Sequence, residues 1–233
     1  MSDPPDMLSV IRFRGSGSTQ GRAPLGVTEL QDRSGLSAAL QSAWAKSLPR
    51  DVPPTHHLPL VQHCEDAGAV AGRLWDEWLP RAVRERFTVH LGVDARAVVQ
   101  WLAASHDVGK LSPAFAWQVG GLADKMHRNG LTFPTVLDGP GMRRNAPHQL
   151  VSHHAIHRWL TVGHAWPEVP AHTVAVVSGG HHGRQPSSGM LTALDPRFAG
   201  AGAWEDARIE LLDHLATLYG IGAWLTARVP LPQ

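Results

Sequence analysis

The chain has 233 residues, of which 43% are hydrophobic, so it can bury a full core in one domain of ordinary to large size. Its formal net charge of +1 excludes a strong global field for nucleic acid or acidic membranes, and leaves local patches or bound metal to attract an anion. A single cysteine, Cys64, excludes a disulfide framework and cysteine-rich zinc ribbons, and we expect this thiol to be a core residue.

We expect a mobile leader over residues 1–36, because this segment is rich in glycine, serine, proline and charge and lacks periodicity. It contains no apolar signal-peptide core, and no apolar run in the chain approaches about 18 residues, so we expect a cytoplasmic protein without a membrane partner. Residues 8–13 could form one short strand. A short helix over 37–48 would carry Trp44 and stop at the prolines that follow.

Two longer helices follow, and their apolar residues recur every three or four positions. The first covers 60–79 and ends at Pro80. The second covers 94–106, with Asp94 as its N-cap. We expect the glycine- and proline-containing stretch 120–146 to be a loop.

The second half of the chain repeats this alternation of helix and loop. Helices are predicted over 147–161 and 171–178, a loop over 184–202, and a last helix over 204–227. Alternating apolar and polar residues, the pattern of a strand, are almost absent. The sequence therefore predicts an all-α fold in one globular domain over 37–233.

The most distinctive motif is His106-Asp107, followed three residues later by Lys110. An imidazole and a carboxylate side by side can bind one divalent ion, and the second carboxylate oxygen is free to bind another. Lys110 would lie one helical turn away, on the side where a phosphate would approach. The chain holds 15 histidines, which gives the pair more weight than it would have alone.

Other histidines in separate segments can supply further ligands: His63, His148 and the glycine-flanked pair His181-His182. Histidines with few carboxylates and no thiolates suit manganese, iron, cobalt, nickel or zinc. With Asp107 as a bridge, such a set could hold two ions that stabilise the attacking and leaving oxygens of a phosphoester displacement. Taken alone, His63 is better explained as a core or helix-terminal histidine, and His148 could simply open a helix after Pro147, whereas the glycine-flanked pair gains nothing from core packing.

The remaining histidines have weaker claims as ligands. His56 and His57 stand in a proline-rich loop, where we expect them to be solvated or to lie behind the ligands. Three histidines close to His148 are expected on the surface or behind the ligands: His153, His154 and His157. We expect the tryptophans on apolar helix faces to lie in the core: Trp75, Trp78, Trp101 and Trp159.

The ordered motifs resemble the HD superfamily of metal-dependent phosphohydrolases. More closely, they resemble the HD nuclease domain of the CRISPR-associated type I helicase-nuclease. The similar phrases are WAK at 44–46, LVQHCED at 60–66, HDVGKLSPAF at 106–115, His148 with Ser152, and GHHG at 180–183. The resemblance covers about 43–220 and implies a helical bundle around a metal centre.

The resemblance also implies a function. In that family the domain cuts single-stranded DNA exposed by the Cascade surveillance complex, as part of antiviral defence. One ion would be held by His63, His106 and Asp107, and a second by Asp107, His148, His181 and His182. The ions would be manganese, iron, cobalt or nickel, with magnesium also allowed. Asp107 and Lys110 would be catalytic, with Lys110 contacting the scissile phosphate or orienting the nucleophilic water.

The chain departs from this family in two ways. The family's first metal site takes another aspartate from a late Ala-Asp-Trp phrase, whereas Ala223 stands before Trp224 here. Because 204–218 resembles the preceding helix, we expect the chain to lack the family's last helix. The sequence also has no Gly-x-x-x-x-Gly-Lys-Ser/Thr phosphate loop, so we expect the helicase domain to be absent from this chain.

Three functions stay open at this point. The first is a metal-dependent nuclease that cleaves single-stranded DNA. The second is an HD phosphohydrolase acting on nucleotides or small phosphate esters, for which Arg143-Arg144 are the obvious basic cluster. The third is a degenerate HD module that binds a partner or DNA without turnover.

Overall fold

The structure is a computed structural model that describes residues 33–47, 57–92, 94–135 and 139–227. The expected leader falls almost wholly outside these residues, as do the strand expected over 8–13 and His56. Within the described ranges the architecture is all-α with one two-stranded sheet, which confirms the predicted fold class. No helix in this part of the chain is both long and apolar enough to cross a bilayer.

The helices of the described residues are numbered in chain order. They are α1 (Ala38–Ser42), α2 (Leu60–Arg73), α3 (Arg81–Leu91), α4 (Ala95–Ser105), α5 (Pro113–Ala116), α6 (Gly120–Arg128), α7 (Gly139–Asn145), α8 (His148–Arg158), α9 (Glu168–Gly179), α10 (Ser188–Thr192), α11 (Pro196–Ala199), α12 (Ala203–Tyr219) and α13 (Gly222–Ala227). Wider π-helical turns continue α2 over Leu74–Trp78 and α8 over Trp159–Gly163, and a 3₁₀ turn covers Val108–Lys110.

The core lies where α2, α4, α8 and α12 pack together. Tryptophans fill much of it: Trp101 is fully buried, stacks on Trp159 at a ring-centroid distance of 5.4 Å, and contacts Trp224 at 5.9 Å. Cys64 is also fully buried, as expected, and burial raises the pKa of its thiol well above the usual range. Truncating such a tryptophan to alanine typically costs about 3–5 kcal/mol, so this aromatic cluster is a major source of stability.

Trp78 is the exception among the tryptophans predicted to be core, because its side chain is 74% exposed. It lies in the π-helical turn, where the amide of Leu79 bonds the carbonyl of Leu74 five residues back. The wider turn breaks the 3.6-residue period. Trp78 is therefore carried off the face that buries Trp75.

The long helices confirm the periodicity argument. The predictions over 60–79, 94–106, 147–161 and 171–178 correspond to α2, α4, α8 and α9, with the π-helical turns included. Asp94 does occupy the N-cap position of α4, but its side chain makes no capping hydrogen bond there.

The helix predicted over 37–48 is wrong in its second half. α1 ends at Ser42, and strand β1 (Trp44–Ser47) pairs antiparallel with β2 (His57–Pro59), which holds His57 in a strand rather than a loop. Trp44 stands opposite Pro59, with an irregularity in register before Lys46. Strand pairing of this kind depends on a partner distant in sequence, so local periodicity does not reveal it.

Two predictions about loops are also wrong. The stretch 120–146 contains α6 and α7, and α6 is an amphipathic helix that buries an apolar stripe of Leu122, Ala123 and Met126. The predicted loop 184–202 contains the short helices α10 and α11, each begun by a capping side chain, from Ser187 and Asp195. No element was predicted where α3 lies, since this charged helix buries none of its residues.

The helix predicted over 204–227 is divided in two. Gly220 adopts a left-handed conformation (φ 66°, ψ 34°), which ends α12 and starts α13 in a new direction. Trp224 of α13 is buried against Trp166 and Trp101, while Ala223 is exposed. The Gly-Ala-Trp phrase therefore lies in a separate short helix.

Candidate metal centre

Three helix ends and one helix interior bring the predicted ligands together. α4 ends at Ser105, and His106-Asp107 form the turn that leads into the 3₁₀ segment. His63 lies in the first turns of α2, His148 is the first residue of α8, and His181-His182 directly follow α9. Two groups of three residues with metal-ligating atoms result, each with its atoms within 4.8 Å of one another: His63, His106 and Asp107, and His148, His181 and His182.

Gly109 allows α8 to approach the turn that carries His106-Asp107. A Cβ atom at this position would overlap the carbonyl oxygen of His148 and the backbone nitrogen of Ser152. The backbone amide of Gly109 donates a 2.9 Å hydrogen bond to the buried hydroxyl of Ser152. A residue without a side chain therefore sets the distance between the two groups of ligands.

One oxygen of the buried Asp107 carboxylate faces the first group. Oδ2 lies 2.7 Å from Nε2 of His63 and 3.1 Å from Nε2 of His106. The ammonium of Lys110 lies 2.7 Å from the same oxygen. Oδ2 is therefore surrounded by nitrogen atoms from α2 and from its own turn.

The other carboxylate oxygen faces the second group. Oδ1 lies 3.3 Å from Nε2 of His148 and 3.4 Å from Nε2 of His181, yet it receives no hydrogen bond although it is buried. Nε2 of His182 lies 2.9 Å from Nε2 of His148 and completes this group. A buried carboxylate oxygen without a hydrogen bond is costly, and a cation bound here would satisfy it.

Backbone carbonyls select the tautomer of two of these histidines. Nδ1 of His106 donates to the carbonyl of Ala103 at 2.7 Å, and Nδ1 of His181 donates to the carbonyl of Ser178 at 2.5 Å. When these rings are neutral, each presents the Nε2 lone pair toward Asp107. An imidazole lone pair and a carboxylate lone pair that face each other repel unless a cation or proton lies between them. This donor set therefore fits a divalent ion.

The protonation states point the same way. Burial lowers the pKa of His181 to about 4, and burial followed by the nearby His148 lowers the pKa of His182. Burial alone would raise the pKa of Asp107, but the close imidazoles of His106, His148 and His63 outweigh it and hold that pKa well below its usual range. Neutral imidazoles around an ionised carboxylate are the forms that bind metal.

The Lys110 ammonium makes contacts within the protein, and its expected contact with a phosphate or with the nucleophilic water stays a prediction. Its side chain is buried, and its ammonium donates to the carbonyl of Ala45 at 3.1 Å besides pairing with Asp107. The ammonium also lies 5.3 Å from the centroid of the Phe115 ring. Two of its three hydrogens are thus used within the protein, and only the third is free to reach a phosphate.

A cavity of about 260 Å³ adjoins the second group of ligands. It opens beside His148 and His182, and an exposed guanidinium stands at its wall, that of Arg143. Its other polar side chains are Gln118 and Gln149, which carry no signal in the sequence because they belong to no motif. The cavity gives a phosphate-bearing molecule a path to the ligands.

The histidines near His148 in sequence do not join this centre. His153 is buried and so does not lie on the surface, the first of the two positions expected for it, and its Nε2 lies 3.1 Å from Nδ1 of His172. His154 faces solvent, and His157 pairs with Glu168 at 2.9 Å. None of these three histidines belongs to either group of potential ligands around Asp107.

Residues 44–231 match the family model described as Cas3, HD domain. A CRISPR-associated nuclease/helicase Cas3 from Streptococcus thermophilus is 30% identical over 142 residues, which are 54% of this chain and 14% of that protein. A CRISPR-associated endonuclease/helicase Cas3 from Thermus thermophilus is 29% identical over 192 residues, 77% of this chain and 18% of that protein. This chain therefore corresponds to less than a fifth of the length of either relative.

Solved structures give the same picture of the fold. A crystal structure of a CRISPR-associated protein superposes with a TM-score of 0.69 at 26% identity, over 84% of this chain and 25% of that one. T. fusca Cas3 gives a TM-score of 0.57 at 24% identity, over 77% of this chain and 19% of that one. A chain of a CRISPR RNA-guided surveillance complex, pre-nicking, gives 0.58 at 24% identity, over 83% and 22%. At 24% identity these last two similarities concern the fold.

Proposed function

This chain belongs to the Cas3 HD-domain family, and from that premise we propose that it is a metal-dependent nuclease that cuts single-stranded DNA by two-ion hydrolysis in CRISPR antiviral defence. One observation carries the proposal. The two oxygens of Asp107 face two different groups of histidines, Oδ2 toward His63 and His106 and Oδ1 toward His148 and His181. A carboxylate placed in this way can bridge two ions.

Two divalent ions, when bound, would supply a hydroxide nucleophile near neutral pH and neutralise charge on the attacking and leaving oxygens. His63 and His106 with Oδ2 would hold one of them, and three histidines with Oδ1 would hold the other: His148, His181 and His182. The donor set favours manganese, iron, cobalt or nickel.

The remaining residues position these ligands and the substrate. The carbonyls of Ala103 and Ser178 fix the orientation of two imidazoles, and Lys110 holds the Asp107 carboxylate in place. Arg143 stands at the mouth of the adjoining cavity, where its guanidinium can bind a backbone phosphate next to the scissile one. The charge that attracts DNA is thus local, as the near-neutral composition requires.

The partners follow from the same resemblance. The relatives are named as nuclease/helicases, and one fold neighbour belongs to a CRISPR RNA-guided surveillance complex. We propose that this nuclease domain, residues 37–233, receives single-stranded DNA from a helicase domain working with a Cascade complex. The ions and the strand would meet at the cavity beside His148.

One observation favours a second candidate, a module that binds DNA or a partner without turnover. The group around His63 has three potential ligands, and if α13 is the counterpart of the family's last helix, Ala223 stands where that helix has an aspartate. A methyl group cannot ligate a metal, so the first ion would be bound more weakly than the second. Weak binding still permits catalysis, because an open coordination position is where a catalytic ion holds its water.

Cleavage of circular single-stranded DNA tests the proposal, since a circle can be opened only by an endonuclease. We expect cleavage by the purified chain with manganese, cobalt or nickel, and its loss in Asp107→Asn. The control His90→Ala changes an exposed histidine of α3 and should keep full activity. Cleavage that persists in Asp107→Asn would contradict the proposal, and so would hydrolysis of nucleoside triphosphates without cleavage of DNA. Bound metal without any hydrolysis would support the binding module.

A further inference from the structure

A second histidine cluster lies on the paired helices α8 and α9, apart from the candidate metal centre. His153 and His157 are four residues apart on α8, and so share one face of it, while His172 faces them from α9. The three ring centroids are 5.0, 6.0 and 6.5 Å apart. Glu168, at the start of α9, binds His157 through its carboxylate.

The spacing of these rings approaches that of a metal site. Two nitrogens bound to one tetrahedral zinc ion lie about 3.4 Å apart. Nε2 of His153 and Nδ1 of His172 lie 3.1 Å apart, which is close to this value and to the 2.9 Å between His148 and His182 in the candidate centre. Ring centroids in that centre lie 4.2–5.4 Å apart, so His157 stands slightly farther out than a bound ligand would.

His153 is held in place before any ion arrives. It is 4% exposed, and its side chain packs so closely on Gly179 that a Cβ atom there would lie 3.0 Å from the histidine Cβ and 3.3 Å from Cδ2 of its ring. Burial, followed by the neighbouring His172, lowers the pKa of His153 to about 4, so the ring is neutral at physiological pH. A fixed neutral imidazole is a preorganised ligand.

The other members can move to complete a coordination shell. The Glu168 side chain is 79% exposed and His172 is exposed, so rotation of either is little hindered. His157 is partly exposed, and a small rotation would bring its Nε2 from the carboxylate toward the other two rings. The whole cluster faces a cavity of about 450 Å³, which gives an ion a way in.

We propose that His153, His157 and His172 hold a divalent transition-metal ion, with the Glu168 carboxylate as a further ligand. Three imidazoles and one carboxylate suit zinc, cobalt, nickel or copper, and they discriminate against magnesium, which takes oxygen ligands. The ion would tie α8 to α9, the two helices whose ends carry His148 and His181. This inference goes beyond the proposed nuclease, because the cluster would bind metal whether or not the candidate centre cuts DNA.

Counting bound cobalt tests this site. The full chain, stripped with chelator and dialysed against Co²⁺ alone, is compared with His172→Ala, His157→Ala and the control His90→Ala. We expect each of the first two variants to bind one equivalent fewer than the unaltered protein, and the control to bind the same number. Circular dichroism should show all four folded, since none of the altered side chains is buried.

The two hypotheses fail separately. Metal-dependent cleavage by His172→Ala should stay within about twofold of the unaltered protein, because this residue contacts none of the six ligands of the candidate centre. If either His172→Ala or His157→Ala binds as many equivalents of cobalt as the unaltered protein, the three-histidine site is refuted, whatever the nuclease assay shows.

Discussion

Replacing Gly109 by alanine should separate the two halves of the metal centre. The added methyl group would overlap the carbonyl of His148 and the amide nitrogen of Ser152, and both belong to helix backbone that cannot rotate away. Overpacking of this kind costs about 1–3 kcal/mol. If the shift also breaks the hydrogen bond from the Gly109 amide to the Ser152 hydroxyl, the buried groups left unsatisfied cost about 1–3 kcal/mol more.

The sum, about 2–6 kcal/mol, is large beside a typical total stability of about 5–15 kcal/mol. For a domain of this size we expect Tm to fall by roughly 5–20 °C, measured by calorimetry or circular dichroism of the metal-free protein. The matched control is Gly189→Ala, where an added Cβ meets nothing within 4 Å and the backbone is helical. This control should have an unchanged or slightly higher Tm.

The same substitution should also lower the rate of DNA cleavage. A displacement of His148 by about 1 Å from Asp107 would cost roughly 100-fold in rate, by analogy with other misplaced catalytic groups. Metal-dependent cleavage by Gly109→Ala, measured at a temperature where the variant is folded, should therefore fall by about that factor while Gly189→Ala keeps full activity. Equal Tm values and equal cleavage rates in the two variants would refute the close approach that we assign to Gly109.

Three other predictions follow from the site and the core. Arg143→Ala should raise KM for single-stranded DNA roughly two- to fivefold with little change in kcat, whereas Arg144→Ala, which does not line the cavity, should not; equal KM values would contradict the phosphate role. Burial, followed by the charge of the Glu65 carboxylate, raises the pKa of Tyr219 from 10.0 to about 12, so the unfolded chain loses this proton first. The free energy of unfolding should fall between about pH 10 and 12, by about 1–2 kcal/mol more than in Tyr219→Phe. The same dependence of this free energy on pH in both proteins would contradict the raised pKa of Tyr219. Ala223→Asp should tighten the weaker metal equivalent roughly tenfold in calorimetric titration, and unchanged affinity would mean that α13 is not the counterpart of the family's ligand-bearing helix.

Much of the helical framework could be predicted because its signal is local. The apolar period of α2, α4 and α8 depends only on residues three and four apart. The strand β1 could not be predicted in this way, because Trp44 depends on a partner fifteen residues later. α3 was missed for the opposite reason, since a helix that buries nothing shows no apolar face.

The candidate site also contains residues that could be predicted from the sequence and others that could not. The six predicted metal ligands were named with the help of the family resemblance, and the structure brings them together in two groups that share Asp107. Spacing alone could not have done this, because His148 and His153 look alike in sequence and differ only in what α9 places beside them. Gln118 and Gln149 could not be found from the sequence at all, since only the folded chain brings them to one cavity.

The central claim is that Asp107 bridges two ions. Anomalous scattering at the manganese absorption edge, from crystals grown with Mn²⁺, tests it most directly. We predict two peaks about 3.5–4 Å apart, one bound to Oδ2 between His63 and His106 and the other bound to Oδ1 among His148, His181 and His182. A single peak under saturating Mn²⁺ would contradict the two-ion mechanism, and so would two peaks that are not both bound to the carboxylate of Asp107.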